Sequence, residues 1–163
     1  MKNEVVKLSQ STAIWLECVR RAGVSDEQLL AIIRTGDVEP LQAVGEPFFK
    51  PDQWLNYAKE HGENLEQAVR EGYAMTFNTI NGLKMWLQFR FGLQADQHFQ
   101  VGEGRFDGLQ LSSMDVAALQ AALAPNWVLI DHSDGRDVHE DEHEHGHEEV
   151  RSVTLGVRAL LNG

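Results

Sequence analysis

Residues 72–92 read GYAMTFNTINGLKMWLQFRFG, and the fold class turns on how this stretch is read. From Leu83 to Phe91 apolar residues alternate with mostly polar ones, the period of a strand with one buried face. Residues 73–80 are rich in aromatic and β-branched side chains. Between the two runs sits Asn81-Gly82, a pair that tolerates the positive φ angles of a type I′ turn. The pattern predicts a β-hairpin over 73–91. A two-residue loop would pair Ile80 with Leu83, Phe77 with Trp86 and Tyr73 with Arg90.

One face of that hairpin would carry Leu83, Met85, Leu87 and Phe89 beside Ala74 and Ile80, and is assigned to the core. The other would carry Tyr73, Met75, Phe77 and Trp86 among Lys84, Gln88 and Arg90. This second face is more apolar than an ordinary solvated surface. Either the N-terminal helices cover it, or it is a partner-binding surface formed by Tyr73, Phe77 and Trp86, with Trp86 as anchor.

Upstream, the chain reads as short helices. Ser11 is a candidate N-cap for a helix to about Ala22, with Ile14, Trp15, Cys18, Val19 and Ala22 on one face. Cys18 on that face reads as a small core residue. Ser25 with Gln28 forms a capping box for a second helix that stops at Gly36. The two helices around Gly23 have the outline of a helix-turn-helix. However, Asp26-Glu27 at the second N-terminus would repel phosphate, which favours a plain helical hairpin. Pro51 suits the first turn of a third helix to His61, and Asn64 with Gln67 caps a fourth through Glu71.

Downstream, a strand is expected around 99–101. The run Gly102-Glu-Gly-Arg-Phe-Asp-Gly108 lacks the spacing of a phosphate loop and reads as a turn or bulge between strands. Another strand follows at 109–111. Ser112 caps a helix to Ala124, and 127–130 is a short buried strand. Residues 148–161 have the apolar spacing of a helix, although Val153-Thr-Leu-Gly-Val157 also suits a strand. The expected class is α+β: a helical N-terminal part packed on a mostly antiparallel sheet of about four strands built on the 73–91 hairpin. One domain is expected over 1–163, with a helical subregion 1–72 and an α/β subregion 73–163.

Composition bounds the function. The 163 residues are 42% hydrophobic and 24% charged, ordinary for a chain that folds throughout. One cysteine excludes an internal disulfide framework. The apolar runs are too short for a membrane span, and no apolar run follows Met1-Lys-Asn-Glu4, so a cytoplasmic location is expected. The net charge is −11, yet residues 131–149 hold nine acidic residues against Arg136 alone, while the rest holds 16 acidic against 13 basic. No basic patch suits nucleic acid.

That acidic stretch contains the one cluster of metal-type ligands, His139, His143, His145 and His147. Residues 139, 143 and 147 would share a helix face, and 143, 145 and 147 a strand face. Imidazole and carboxylate together suit Zn²⁺ or Ni²⁺. A solvated loop without a specific role, or a proton-responsive one, is an alternative reading of the same composition. With none of the common catalytic motifs in the sequence, the expectation is a non-enzymatic protein-binding or regulatory module. The alternative is a divalent-metal-binding or metal-sensing protein. Homo-oligomerisation is open.

Overall fold

The computed structural model describes residues 5–44, 49–132 and 150–161. The chain divides into two compact units, Met1–Gly92 and Leu93–Gly163. The class is α+β: helices dominate the first unit, and the second holds a four-stranded antiparallel sheet.

The first unit opens with strand β1 (Val6–Leu8), then helices α1 (Gln10–Arg21) and α2 (Asp26–Thr35). The cap of α1 is Ser9 rather than Ser11, its hydroxyl accepting from the Thr12 amide. The Ser25–Gln28 capping box forms reciprocally, and Gly36 ends α2 in the left-handed conformation at φ 79°, where glycine carries no Cβ penalty. A 3₁₀ turn (Glu39–Val44) leads to α3 (Pro51–Glu60) and α4 (Leu65–Glu71), started by Pro51 and capped by Asn64. Arg34 of α2 reaches Glu66 of α4 at 2.8 Å.

Residues 73–91 do not form a hairpin. Only Tyr73–Met75 is a strand, β2, and it pairs in parallel with β1, Val6 opposite Tyr73 and Leu8 opposite Met75. Residues Ile80–Phe91 are helix α5. Thr79 caps it by accepting from the Gly82 amide, and Gly92 closes it at φ 75°. Asn81-Gly82 therefore lies in a helical first turn. Leu83, Trp86 and Leu87 are buried while Met85 is exposed, the i, i+3, i+4 spacing of a helix face rather than the alternation of a strand. α5 packs on α1. Of the eight residues of α1 from Thr12 to Val19, all but Trp15 are buried.

In the second unit the strand order is β3-β4-β6-β5, all neighbours antiparallel. β3 (Gln100–Gly102) and β4 (Arg105–Ser112) form a hairpin with Gly102 opposite Arg105. The register shifts between Phe106 and Leu109, so the glycine-rich run is a turn followed by a bulge, as expected. Helix α6 (Ser113–Ala122), capped by Ser112, packs on β4 and β6. β5 (Trp127–Asp131) follows. Of the two readings of 148–161, the strand holds for β6 (Val150–Val157), and only Arg158–Leu161 turn into a short helix, α7. β-branched Val153 and Thr154 side chains favour the pleated surface. Phe106 packs at a tilt against Phe99 and against Trp127, each at 5.2 Å between ring centroids, and all three are buried in this core.

Candidate functional site

Glu17 sits in the middle of the buried run of α1 and is 4% exposed. A carboxyl group in that position must be paired, because burial without partners costs several kcal/mol. Its partners come from three elements. The Tyr73 hydroxyl of β2 donates to Glu17 Oε2 at 2.6 Å. Arg20, one helical turn on, donates Nη1 to the same oxygen at 3.2 Å. Arg90 of α5 places Nε 4.0 Å from Oε1. Behind Tyr73, Trp86 Nε1 donates to the phenol oxygen at 2.8 Å. The result is a continuous chain, Trp86 to Tyr73 to Glu17 to Arg20.

Arg20 is anchored further by Nε to Asp26 Oδ1 at 3.0 Å and by Nη2 to the Val69 carbonyl at 3.3 Å. Burial pulls its pKa down, but Glu17 and Asp26 outweigh that and leave it raised. Burial, reinforced by the Glu17 charge, pushes the Tyr73 phenol well above its ordinary value. The phenol is therefore held neutral as a hydrogen-bond donor.

Above Glu17 lies an open recess of about 430 Å³, lined by Glu17, Arg20, Arg21, Phe89 and Arg90. Arginines at the last turns of α1 and α5 suit the negative ends of both helices, which accounts locally for their placement. Their occupancy differs. Arg20 is committed on three sides. Arg21 makes one long bond, Nε to the Gln88 carbonyl at 3.4 Å, and a side chain at Gly92 would run into its guanidinium. Arg90 lies over the Phe91 ring at 4.8 Å. Among the described residues neither Arg21 nor Arg90 has a carboxylate within normal hydrogen-bonding distance. Three guanidinium groups face one carboxyl, so the recess is positive in a chain of net charge −11. Planar N–H forks of this kind recognise carboxylate and phosphoryl oxygens in bidentate fashion.

The three residues expected as a partner surface are separated. Tyr73 and Trp86 are 8% and 1% exposed and hydrogen-bond to each other, so they support the recess from inside. Phe77 is 58% exposed and does not line it. His139, His143, His145 and His147 lie outside the described residues. Among the described residues no three His, Cys, Asp or Glu side chains converge as metal ligands, and no helix is long and apolar enough to cross a membrane.

The second unit has its own polar chain. Arg105 donates twice to Asp107, at 2.9 and 2.8 Å. The Thr154 hydroxyl, 1% exposed, donates to Asp107 Oδ1 at 2.9 Å. His132 Nε2 stands 2.8 Å from the same hydroxyl. Since the Thr154 proton goes to Asp107, the bond to the same hydroxyl oxygen is donated by His132 Nε2–H.

Glu17, Arg20, Arg21 and Arg90 went unrecognised in the sequence. The available signal was a carboxyl group three residues from Ile14 within an apolar helix stripe, followed by an Arg20-Arg21 pair. No protein-family model, curated protein or solved structure matches the chain.

Proposed function

We propose that the chain is a non-enzymatic protein-binding module whose first unit recognises an acidic segment of a partner at the Arg21–Arg90 recess. The observation that carries this reading is the contrast between the arginines. Glu17 is satisfied by Tyr73 and Arg20, whereas Arg21 and Arg90 keep N–H groups open to the same recess. The buried chain fixes the floor, and the two rim guanidiniums supply the charge.

The test is fluorescence polarisation with a labelled octapeptide of glutamate and serine at low salt. Arg21→Ala with Arg90→Ala should weaken binding by about tenfold or more, equivalent to ~1.4 kcal/mol. Arg34→Ala should leave it unchanged, because Arg34 is paired with Glu66. Added salt should weaken the wild-type complex. Equal binding by the double variant would sink the proposal.

A second reading, divalent-metal binding through His139, His143, His145 and His147, is favoured by His132. A metal-bound histidine commonly donates its other ring N–H to a fixed acceptor, and Thr154 with Asp107 provides one for the histidine that leads into that segment. Calorimetric titration of Ni²⁺ into chelator-treated protein checks it. Fixed stoichiometry lost on replacing the four histidines with alanine is the expected result, and unchanged binding would exclude it.

A further inference from the structure

Phe89, which lines the arginine recess, also faces Trp15 of α1, with ring centroids 6.3 Å apart. Trp15 in turn stacks on Phe49 at 5.3 Å, and Phe49 meets Trp54 edge-on at 5.7 Å. Trp15, Phe49 and Trp54 wall a second recess, lined also by Ser11, Lys50, Gln53 and Tyr57, with a volume of about 170 Å³. The two recesses are thus adjoining, separated by the Trp15–Phe89 contact, and both belong to the first unit.

Size and chemistry limit what the second recess takes. A cavity of about 150 Å³ accepts a single benzene ring, so this one suits one aromatic side chain. Its walls offer ring faces and edges, the geometry in which aromatic pairs attract. Trp54 Nε1 is already bound to the Thr12 carbonyl at 3.2 Å. Trp15 Nε1 has no hydrogen-bond partner among the described residues, so this half-buried indole retains a donor for an incoming backbone carbonyl. Lys50 at the rim extends the positive charge of the arginine recess.

We propose that the partner segment combines acidic residues with one aromatic side chain, the acids meeting Arg21 and Arg90 and the ring entering the Trp15–Phe49–Trp54 recess. This rests on the acidic-segment reading above and specifies it further. Four extended residues span about 13 Å, against 6.3 Å between the centroids of the Trp15 and Phe89 rings, one in the wall of each recess. The arginines set the charge of the partner, and the aromatic recess sets its register.

The test compares two hexapeptides of glutamate and serine, identical except that one has phenylalanine at its fourth position and the other serine. Against the wild-type protein the phenylalanine peptide should bind about ten- to a hundredfold more tightly, the range expected for burying one large apolar side chain. Two variants address the recess separately. Trp15→Leu removes the shared wall, and Gln53→Trp fills the mouth from an exposed position on α3 without touching the core. Each should erase the advantage of the phenylalanine peptide, and Gln53→Trp, whose site does not line the arginine recess, should leave the serine peptide bound as before. If phenylalanine brings no gain while the serine peptide still depends on Arg21 and Arg90, this inference fails and the acidic-segment reading stands. A gain that survives both variants places the ring elsewhere and also overturns it. If neither peptide binds, both readings fail together.

Discussion

Each unit threads a hydrogen-bonded chain through its interior, and the two chains are built in opposite senses. In the first, the buried members Trp86, Tyr73 and Glu17 include a carboxyl group, and its arginine partners stand toward the surface. In the second, the buried member is the neutral hydroxyl of Thr154, while Arg105 and Asp107 keep 45% and 43% of their side-chain surface. The difference is one of exposure to solvent screening. An ion pair left half in water contributes little, and its loss is tolerated. A carboxyl taken into the core depends on every partner it has, and each partner depends on it. The first chain is a rigid support for a site, and the second a local clasp between strands.

The largest test of that contrast is Glu17→Ala. It strands the Tyr73 hydroxyl and removes the inner partner of Arg20, and should cost about 3 kcal/mol in urea unfolding. A loss below ~1 kcal/mol would mean that the buried carboxyl is not the keystone described. Next comes Tyr73→Phe, which deletes the donor to Glu17 and the acceptor for Trp86, for about 1.5–2 kcal/mol.

The same variant carries a pH signature. The Tyr73 pKa is raised on folding, first by burial and then by Glu17. Its contribution is therefore complete below the unfolded value of about 10 and is lost as pH climbs through the higher folded value. Melting temperatures taken between pH 8 and 11 should fall more steeply for wild type than for Tyr73→Phe. Parallel curves would show that the phenol is not held as described. The smallest effect belongs to Thr154→Val, about 1 kcal/mol, because Asp107 keeps both bonds from Arg105 and His132 faces solvent. A cost equal to that of Glu17→Ala would erase the distinction between the two chains.

Much of the fold was legible where local chemistry acts alone. The caps at Ser25, Asn64 and Ser112, the Pro51 start and the Gly36 stop depend on neighbours a few residues away, and each formed. α5 was misread because its apolar content is so high that both periods fit. Leu83, Met85, Leu87 and Phe89 alternate, but Leu83, Trp86 and Leu87 also lie on one helix face. The deciding signals were its length, twelve residues where strands usually hold four to eight, and the Thr79 and Gly92 caps. β6 was open between helix and strand, since Val150, Val153 and Val157 have helical spacing while Val153–Val157 also suits a strand; pairing on both edges in an antiparallel sheet decides it. Tyr73, Phe77 and Trp86 share one face of the expected hairpin; in the structure Tyr73 and Trp86 meet through a buried hydrogen bond, and Phe77 is exposed apart from them. The arginine recess was beyond local reading. Glu17, Tyr73 and Arg90 are brought together by tertiary packing, and their separation in the chain leaves no periodic trace.

The parallel pairing of β1 with β2 sets the order in which the first unit can assemble. Val6 cannot find Tyr73 until α1 to α4 have all emerged between them, and non-local pairings of this kind are slow to close. During synthesis, Glu17 would therefore have Arg20 beside it in sequence but wait for Tyr73 and then Arg90 to leave the ribosome. The last partner to arrive is the second of the two cations beside the buried carboxyl, so completion of the floor beneath the recess coincides with completion of the unit itself.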